Sequence, residues 1–188
     1  MDFKNQVVLI TGAGPGLGRA CAEAFAKQGA KLVICDVNHE TLLKTQHEVE
    51  KHGAECLAIL CDVSSSQQVS AMFAQTLERF GTLDVLVNNA AITPTTALDT
   101  QRRTELYDYN ALPEPRRSLS FTQWITDDEW ARFWGVNVNG VFYCTREALK
   151  IMEPNRSGRI VNVASIAGMS SKSAHSPPYS ATKGAVIA

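Results

Sequence analysis

The stretch that decides the fold lies near the N-terminus, where residues 7–18 read VVLITGAGPGLG. The apolar run at residues 7–10 is typical of a buried strand, and the glycines after it allow a tight turn. A helix beginning near Gly16 would then direct its unpaired N–H groups at a bound anion. A strand, a glycine-rich turn and a helix in this order favour dinucleotide binding through the pyrophosphate.

Apolar runs and longer helical patterns alternate along most of the chain. We predict strands at residues 7–11, 31–36, 56–62, 83–88 and 158–165, and helices at 16–28, 39–52 and 126–153, with two more beginning near Ser65 and Tyr179. This alternation indicates βαβ units. The predicted fold class is α/β, a Rossmann-like doubly wound parallel sheet in three αβα layers. Residues 1–188 would form a single dinucleotide-binding and catalytic domain.

Composition narrows the class of protein further. The chain has 188 residues, of which 45% are hydrophobic and 20% charged, as in a soluble globular domain. A net charge of −1 argues against nucleic-acid binding, and the short apolar run at the N-terminus is neither a signal peptide nor a membrane span. The five cysteines include no CxxC pair, which favours reduced thiols in a cytoplasmic protein. The four histidines show no metal-ligand spacing, so we expect no metal site.

The stretch at residues 92–125 is polar and rich in proline, and we predict a long insertion-like loop there. It carries two basic pairs, Arg102 with Arg103 and Arg116 with Arg117. Two interpretations stay open. The stretch could be a lid or partner contact in which an arginine meets an acidic group of the substrate. The other interpretation, which we prefer, is a mobile surface excursion with solvated charges.

Asp36 closes the second predicted strand and bears on the choice of dinucleotide. A carboxylate there can accept hydrogen bonds from the adenosine ribose hydroxyls and would repel a 2′-phosphate. The glycine loop itself contains no Arg or Lys. We therefore prefer NAD over NADP as the cofactor. The alternative is that Asp36 only caps the turn at Asn38.

Seven segments together carry a family resemblance. They are TGAGPGLG at 11–18, Asp36, DV at 62–63, NNAA at 88–91, VNVNG at 136–140, NVAS at 162–165 and YSATK at 179–183. In this order, over nearly the whole chain, they resemble the short-chain dehydrogenase/reductase family. One small departure is Ala91, where the family usually has glycine.

The resemblance implies a cofactor site and a catalytic set. The cofactor-binding residues would be Gly12, Gly14, Gly16, Leu17, Gly18, Asp36, Asp62, Val63, Asn89, Ala90, Ala91, Tyr179 and Lys183. The catalytic residues would be Asn137, Ser165, Tyr179 and Lys183. Asp62 and Val63 would flank the adenine, and Asn137 would hold a water that links Lys183 to solvent.

The chemistry of Tyr179 and Lys183 agrees with that assignment. Four residues apart on a helix, they share a face, and an ammonium beside a phenol stabilises the phenolate that a general base needs. Ser165 could hold the substrate oxygen against Tyr179. The expected function is an oxidoreductase that transfers a hydride between NAD(H) and a secondary alcohol or ketone, with Tyr179 as general acid/base.

Three other functions remain as alternatives. An NADP-dependent 3-oxoacyl thioester reductase is a familiar family activity, although Asp36 speaks against NADP. A non-catalytic dinucleotide-binding sensor would not need all four catalytic residue types. A Rossmann-like methyltransferase has no use for Tyr179 and Lys183.

The resemblance also implies features beyond the catalytic set. It implies a homo-oligomer, either a dimer or a tetramer, and further strands and a substrate loop after Ala188. We therefore expect the isolated 188-residue chain to be inactive or insoluble.

Overall fold

The structure is a computed structural model that describes residues 2–111, 113, 118–169 and 173–188. Its helices are α1 (Gly16–Ala26), α2 (His39–Glu50), α3 (Ser66–Phe80), α4 (Ala97–Ala111), α5 (Asp127–Trp134), α6 (Gly140–Met152) and α7 (Pro177–Ile187). Its strands are β1 (Val7–Thr11), β2 (Lys31–Asp36), β3 (Cys56–Leu60), β4 (Val85–Asn88) and β5 (Arg159–Asn162). They form two compact units: Met1–Ala91 with Asn139–Val163, the sheet unit, and Ile92–Val138 with Ala164–Ala188, the helical unit.

The described strands of the sheet unit form one parallel sheet in the order β3-β2-β1-β4-β5. All five residues of β1 are buried, which explains the unbroken apolar run in its sequence. Side chains of α1 and α2 join one hydrophobic cluster with β1, β2 and β4, while α3 packs on α6 and α6 on β4. The predicted α/β, Rossmann-like parallel sheet is confirmed.

The chain adds β2 and β3 on one side of β1 and β4 and β5 on the other. This reversal locates the edge of the sheet at which a ligand is expected to bind. Ile10 pairs with Ile34 of β2 on one side and with Val87 of β4 on the other. The carboxyl ends of β1, β2 and β4 therefore lie side by side. In open α/β sheets the crevice at such a switch point is where ligands bind. Gly12, Asp36 and Asn89 follow or close these three strands.

The predicted loop at residues 92–125 is wrong for most of its length. Helix α4 occupies Ala97–Ala111, and a 3-10 turn occupies Phe121–Trp124. The helix begins at a capping box. The Thr96 hydroxyl accepts from the Asp99 N–H (3.1 Å), and the Asp99 carboxylate accepts from the Thr96 N–H (3.0 Å). Arg116 and Arg117 lie outside the described residues.

The single helix predicted at residues 126–153 is also wrong in its middle. Its start is confirmed, because the Thr126 hydroxyl caps α5 by accepting from the Glu129 N–H (3.1 Å). A π-helical segment at Gly135–Asn139 then interrupts the α-helical pattern before α6. Smaller shifts occur at β3, β4 and β5, which are shorter than predicted, and at α7, which starts at Pro177.

Within the part of the chain that the structure describes, no helix has the length and apolar character needed to cross a membrane.

Candidate active site

The glycine loop of the sheet unit packs directly on backbone. Gly12 has a positive φ of 64°, and a Cβ at this position would come within 2.7 Å of the Ala90 Cα. A Cβ on Gly18 would meet the Gly12 carbonyl and, at 2.7 Å, the Asn89 side-chain nitrogen. The loop between β1 and α1 can approach the chain after β4 this closely only because these side chains are absent.

A hydrogen-bond network holds that loop in place. The Thr11 hydroxyl accepts from the N–H groups of Asn89 (3.1 Å) and Ala90 (3.0 Å). The Asn89 side chain donates to the carbonyls of Thr11 (3.0 Å) and Gly12 (2.9 Å). Asn89 and Ala90 therefore lie beside the glycine loop, and the Asn89 amide holds that loop in place.

Asp36 serves both the loop and the following turn. Its Oδ2 accepts from the Gly14 N–H (2.9 Å), and its Oδ1 accepts from the Asn38 N–H (2.9 Å). The turn cap considered as the alternative is therefore present. The carboxylate can still accept further hydrogen bonds, since each oxygen can accept a second one. Arg19 completes the support by donating from Nη2 to the Gly14 carbonyl (2.8 Å).

The start of α1 fits a pyrophosphate. Its N-cap is Pro15, which makes no side-chain cap bond, and among the described residues no side chain accepts a hydrogen bond from the N–H groups of the first turn. A Cβ on Gly16 would meet nothing within 4 Å, and Leu17 is exposed. Backbone donors at the positive end of a helix, with open space before them, suit a bound phosphate anion.

The residues after β3 are held by local bonds. The Asp62 carboxylate accepts from the Ser64 N–H (2.9 Å). Val63 is buried, and its side chain lies so close to Gly140 that a Cβ there would come within 2.8 Å. The adjacent Cys61 donates its N–H to the Asp36 carbonyl (3.1 Å), which joins this segment to the end of β2.

The predicted catalytic residues all belong to the helical unit. Lys183 is only 4% exposed, and its Nζ lies 6.0 Å from the centroid of the Tyr179 ring. Burial lowers the pKa of Lys183, because removal from water disfavours the ammonium. The half-buried Tyr179 ring meets Phe133 of α5 edge-on, with their centroids 6.4 Å apart.

Ser165 begins a 3-10 turn that packs on α7. Its Oγ accepts from the Ala167 N–H (3.1 Å) and so caps the turn at Ile166–Gly168. A Cβ on Gly168 would come within 2.6 Å of the Gly184 nitrogen and of the Lys183 carbonyl carbon. The backbone beside Lys183 therefore touches the turn that Ser165 caps. Gly168, which permits this contact by lacking a side chain, was not among the predicted site residues.

Asn137 lies in the π-helical segment with a residual exposure of 1%. Its Oδ1 accepts from the Ile92 N–H (2.7 Å), and its Nδ2 donates to the Ile92 carbonyl (3.1 Å) and the Thr182 hydroxyl (3.1 Å). Both amide hydrogens are in use, so a water held by this residue would have to donate to one of its oxygens, the side-chain Oδ1 or the backbone carbonyl. Irregular π turns often mark functional sites.

His175 lies four residues before Tyr179 and is buried. Its Nδ1 and the Ser176 hydroxyl have no hydrogen-bond partner among the described residues. Burial, followed by the positive charge of Arg103, lowers the pKa of His175, and Asp99 opposes this shift. No group of three metal-ligating side chains occurs in the described ranges.

Of the arginines in the 92–125 stretch, Arg102 already forms an ion pair with Glu129. Its Nη1 lies 3.2 Å from the Glu129 Oε1, and only 7% of its side chain is exposed. This ion pair joins α4 to α5. Arg102 is thus a structural residue, and the hypothesis of an arginine that meets an acidic substrate group no longer applies to it.

A parallel sheet with a glycine loop after its first strand defines a Rossmann-type, dinucleotide-binding class of protein. A family model with the description "short chain dehydrogenase" matches residues 6–113 and 116–188. The chain is a member of the short-chain dehydrogenase family.

Individual relatives differ in their named substrates and cofactors. A 3beta-hydroxysteroid dehydrogenase of Mediterraneibacter gnavus is 35% identical over 89% of this chain and 52% of its own length. NAD+-bound xylitol dehydrogenase superposes with a TM-score of 0.81 at 30% identity, over 100% of this chain and 63% of the other. An actinorhodin polyketide ketoreductase with NADPH has a TM-score of 0.80 at 32% identity, over 97% and 61%. The chain therefore spans little more than half to under two thirds of these proteins.

Proposed function

We propose that this protein is an oxidoreductase that transfers a hydride between NAD(H) and a secondary alcohol or ketone. The observation that carries the proposal is the environment of Lys183. Its ammonium is buried beside the Tyr179 ring, 6.0 Å from the centroid, and the turn capped by Ser165 packs on the same helix. Titratable groups whose pKa is shifted by burial, as that of Lys183 is, cluster at functional sites.

Tyr179 would act as the general acid/base. In the oxidation direction its phenolate accepts the hydroxyl proton of the alcohol, and in reduction the phenol returns a proton to the carbonyl oxygen. The Lys183 ammonium stabilises the phenolate form through its positive charge. The Ser165 oxygen accepts one backbone bond, so its hydroxyl hydrogen can be donated to the substrate oxygen. Bound NAD(H) would supply the hydride acceptor or donor.

The glycine loop and Asp36 would hold the cofactor. Uncapped N–H groups of α1 suit the pyrophosphate, and the free lone pairs of Asp36 suit ribose hydroxyls. The negative charge of Asp36 would disfavour a 2′-phosphate, which supports NAD over NADP. The similarity to a ketoreductase crystallised with NADPH keeps an NADP-dependent 3-oxoacyl thioester reductase as the second candidate.

The test is turnover by the unaltered full-length protein, rather than by the isolated 188-residue chain, and by its Tyr179→Phe variant. Nicotinamide absorbance is followed with NAD and NADP against a panel of secondary alcohols, ketones and 3-oxoacyl thioesters. We expect Tyr179→Phe to lower kcat by roughly 10²- to 10⁴-fold while NAD still binds, since only the proton-transferring oxygen is lost. Tyr107→Phe, at an exposed position of α4, is the matched control and should keep full activity.

Two results would contradict the proposal. Turnover by Tyr179→Phe at the rate of the unaltered protein would remove Tyr179 from the chemistry. NAD binding without turnover of any compound in the panel by the unaltered protein would favour the dinucleotide-binding sensor.

A further inference from the structure

Thr182 stands between two residues of the proposed catalytic set. It is fully buried in α7, directly before Lys183 and three residues after Tyr179. Its hydroxyl donates to the Tyr179 carbonyl (2.9 Å) and accepts from the Asn137 Nδ2 (3.1 Å). Both the donor and an acceptor position of one oxygen are therefore used, which a side chain without a hydroxyl cannot reproduce.

The Asn137 amide depends on that hydroxyl. Its other hydrogen bonds both go to the backbone of Ile92. Among the described residues, the Thr182 oxygen is the partner that joins this amide to α7. Loss of the hydroxyl would leave one Asn137 N–H buried without an acceptor, and an unsatisfied buried donor lowers the stability of the fold.

The π-helical segment adds a geometric reason for this arrangement. Successive residues of an α-helix are rotated by about 100° around its axis, so one additional residue in a turn changes which side chain faces a neighbouring element. The irregular turn at Gly135–Asn139 coincides with the Asn137 side chain reaching Thr182. The bond is thus formed where the helix departs from regular geometry.

We propose that Thr182 is a positioning residue for proton transfer. Its hydroxyl ties the carbonyl of Tyr179 to the Asn137 amide and so fixes α7, with Tyr179 and Lys183, against the π-helical segment. The inference rests on the proposed oxidoreductase function. Thr182 itself has no contact with substrate in this account, and it acts only through the two residues that it holds.

A purely structural role predicts a different outcome, and the chain offers a matched control. Thr76 is also fully buried within a helix, and its hydroxyl donates to the Met72 carbonyl (2.8 Å). It lies in α3 of the sheet unit, away from the proposed catalytic residues in sequence. Thr76→Val and Thr182→Val therefore remove equivalent back-bonded hydroxyls, and only one of them contacts Asn137.

The experiment compares Thr182→Val, Thr182→Ser and Thr76→Val in the purified protein, once turnover by the unaltered protein is established. We expect Thr182→Val to lower kcat by roughly 10- to 100-fold, as for a misplaced catalytic group, with KM and the Kd for NAD changed by less than about threefold. The acid-side fall of kcat for alcohol oxidation should move to higher pH, because Lys183 supports the phenolate less well. Thr182→Ser should restore kcat to within about threefold.

Thr76→Val should leave kcat and the pH profile unchanged. Equal kcat losses in the two valine variants, an unshifted pH profile in Thr182→Val, or failure of Thr182→Ser to restore kcat would overturn the proposal. If Thr182→Val does not fold, Thr182→Cys keeps the volume with a weaker donor. An intermediate kcat supports the proposal, and an unchanged kcat overturns it. Absence of turnover by the unaltered protein refutes the proposed function itself, whereas the variant results bear on Thr182 alone.

Discussion

Replacement of Gly12 by alanine tests the close contact within the sheet unit. Its backbone is in the left-handed region (φ 64°), and the added Cβ would lie 2.7 Å from the Ala90 Cα and 3.0 Å from its nitrogen. Ordinary carbon–carbon contacts begin near 3.5 Å, so the loop would have to retreat by about 0.8 Å. Both obstructing atoms are backbone, so no flexible side chain can move aside.

The expected loss has two sources. The left-handed conformation costs a residue with a Cβ about 1–2 kcal/mol. The retreat would also stretch the bond from the Asn89 side chain to the Gly12 carbonyl (2.9 Å) and the bond from the Ala90 N–H to Thr11 (3.0 Å). At about 0.5–1.5 kcal/mol each, these bonds bring the total decrease in the free energy of unfolding to about 2–5 kcal/mol.

Gly53→Ala is the control that isolates the backbone cost. Gly53 also has a positive φ, 79°, but a Cβ there would meet nothing within 4 Å. Urea unfolding should therefore show a decrease of only about 1–2 kcal/mol for this variant. A titration with NAD should show weaker binding for Gly12→Ala and unchanged binding for Gly53→Ala. If Gly12→Ala were no less stable than Gly53→Ala and bound NAD normally, the contact between the glycine loop and Ala90 would not matter.

Two further substitutions probe charges. Arg102→Met leaves Glu129 without its partner and should lower the free energy of unfolding by about 2–4 kcal/mol, whereas the double variant Arg102→Met/Glu129→Met should recover most of the loss in urea unfolding. Asp36→Asn should raise the kcat/KM ratio of NADP over NAD roughly tenfold, since one negative charge is removed, and an unchanged ratio would exclude Asp36 as the source of discrimination.

The sheet unit was predictable because its signal is local. Predicted strands 7–11 and 31–36 agree with β1 and β2, since strands buried on both faces must be apolar throughout. The candidate site residues were identified as residue types at strand ends. Their bonds could not be predicted. The Asn89 amide, for example, finds its partners 77 and 78 positions earlier in the chain.

Helix α4 was missed because its buried face is largely polar. Asp99, Arg102 and Leu106 are its buried residues, and only the last of these counts in an apolar periodicity. The two charged members are bound by the side chains of Thr96, which is exposed, and of Glu129, which is half-buried. A signal was available nevertheless. Thr96-x-x-Asp99 has the same capping spacing that correctly located the start of α5.

The interruption between α5 and α6 has no local signal of that kind. Residues 126–152 contain no proline, and the capping box at Thr126 starts a helix that could continue. Asn137 has bonding partners 45 residues before it and 45 after it, at Ile92 and Thr182. Three buried hydrogen bonds left unmade would cost about 1–3 kcal/mol each, more than one irregular turn. The hydrogen bonds of the buried Asn137 amide can therefore stabilise the π geometry over a regular α-helix. Asparagine is a poor helix former, so its departure from the regular helix costs little stability.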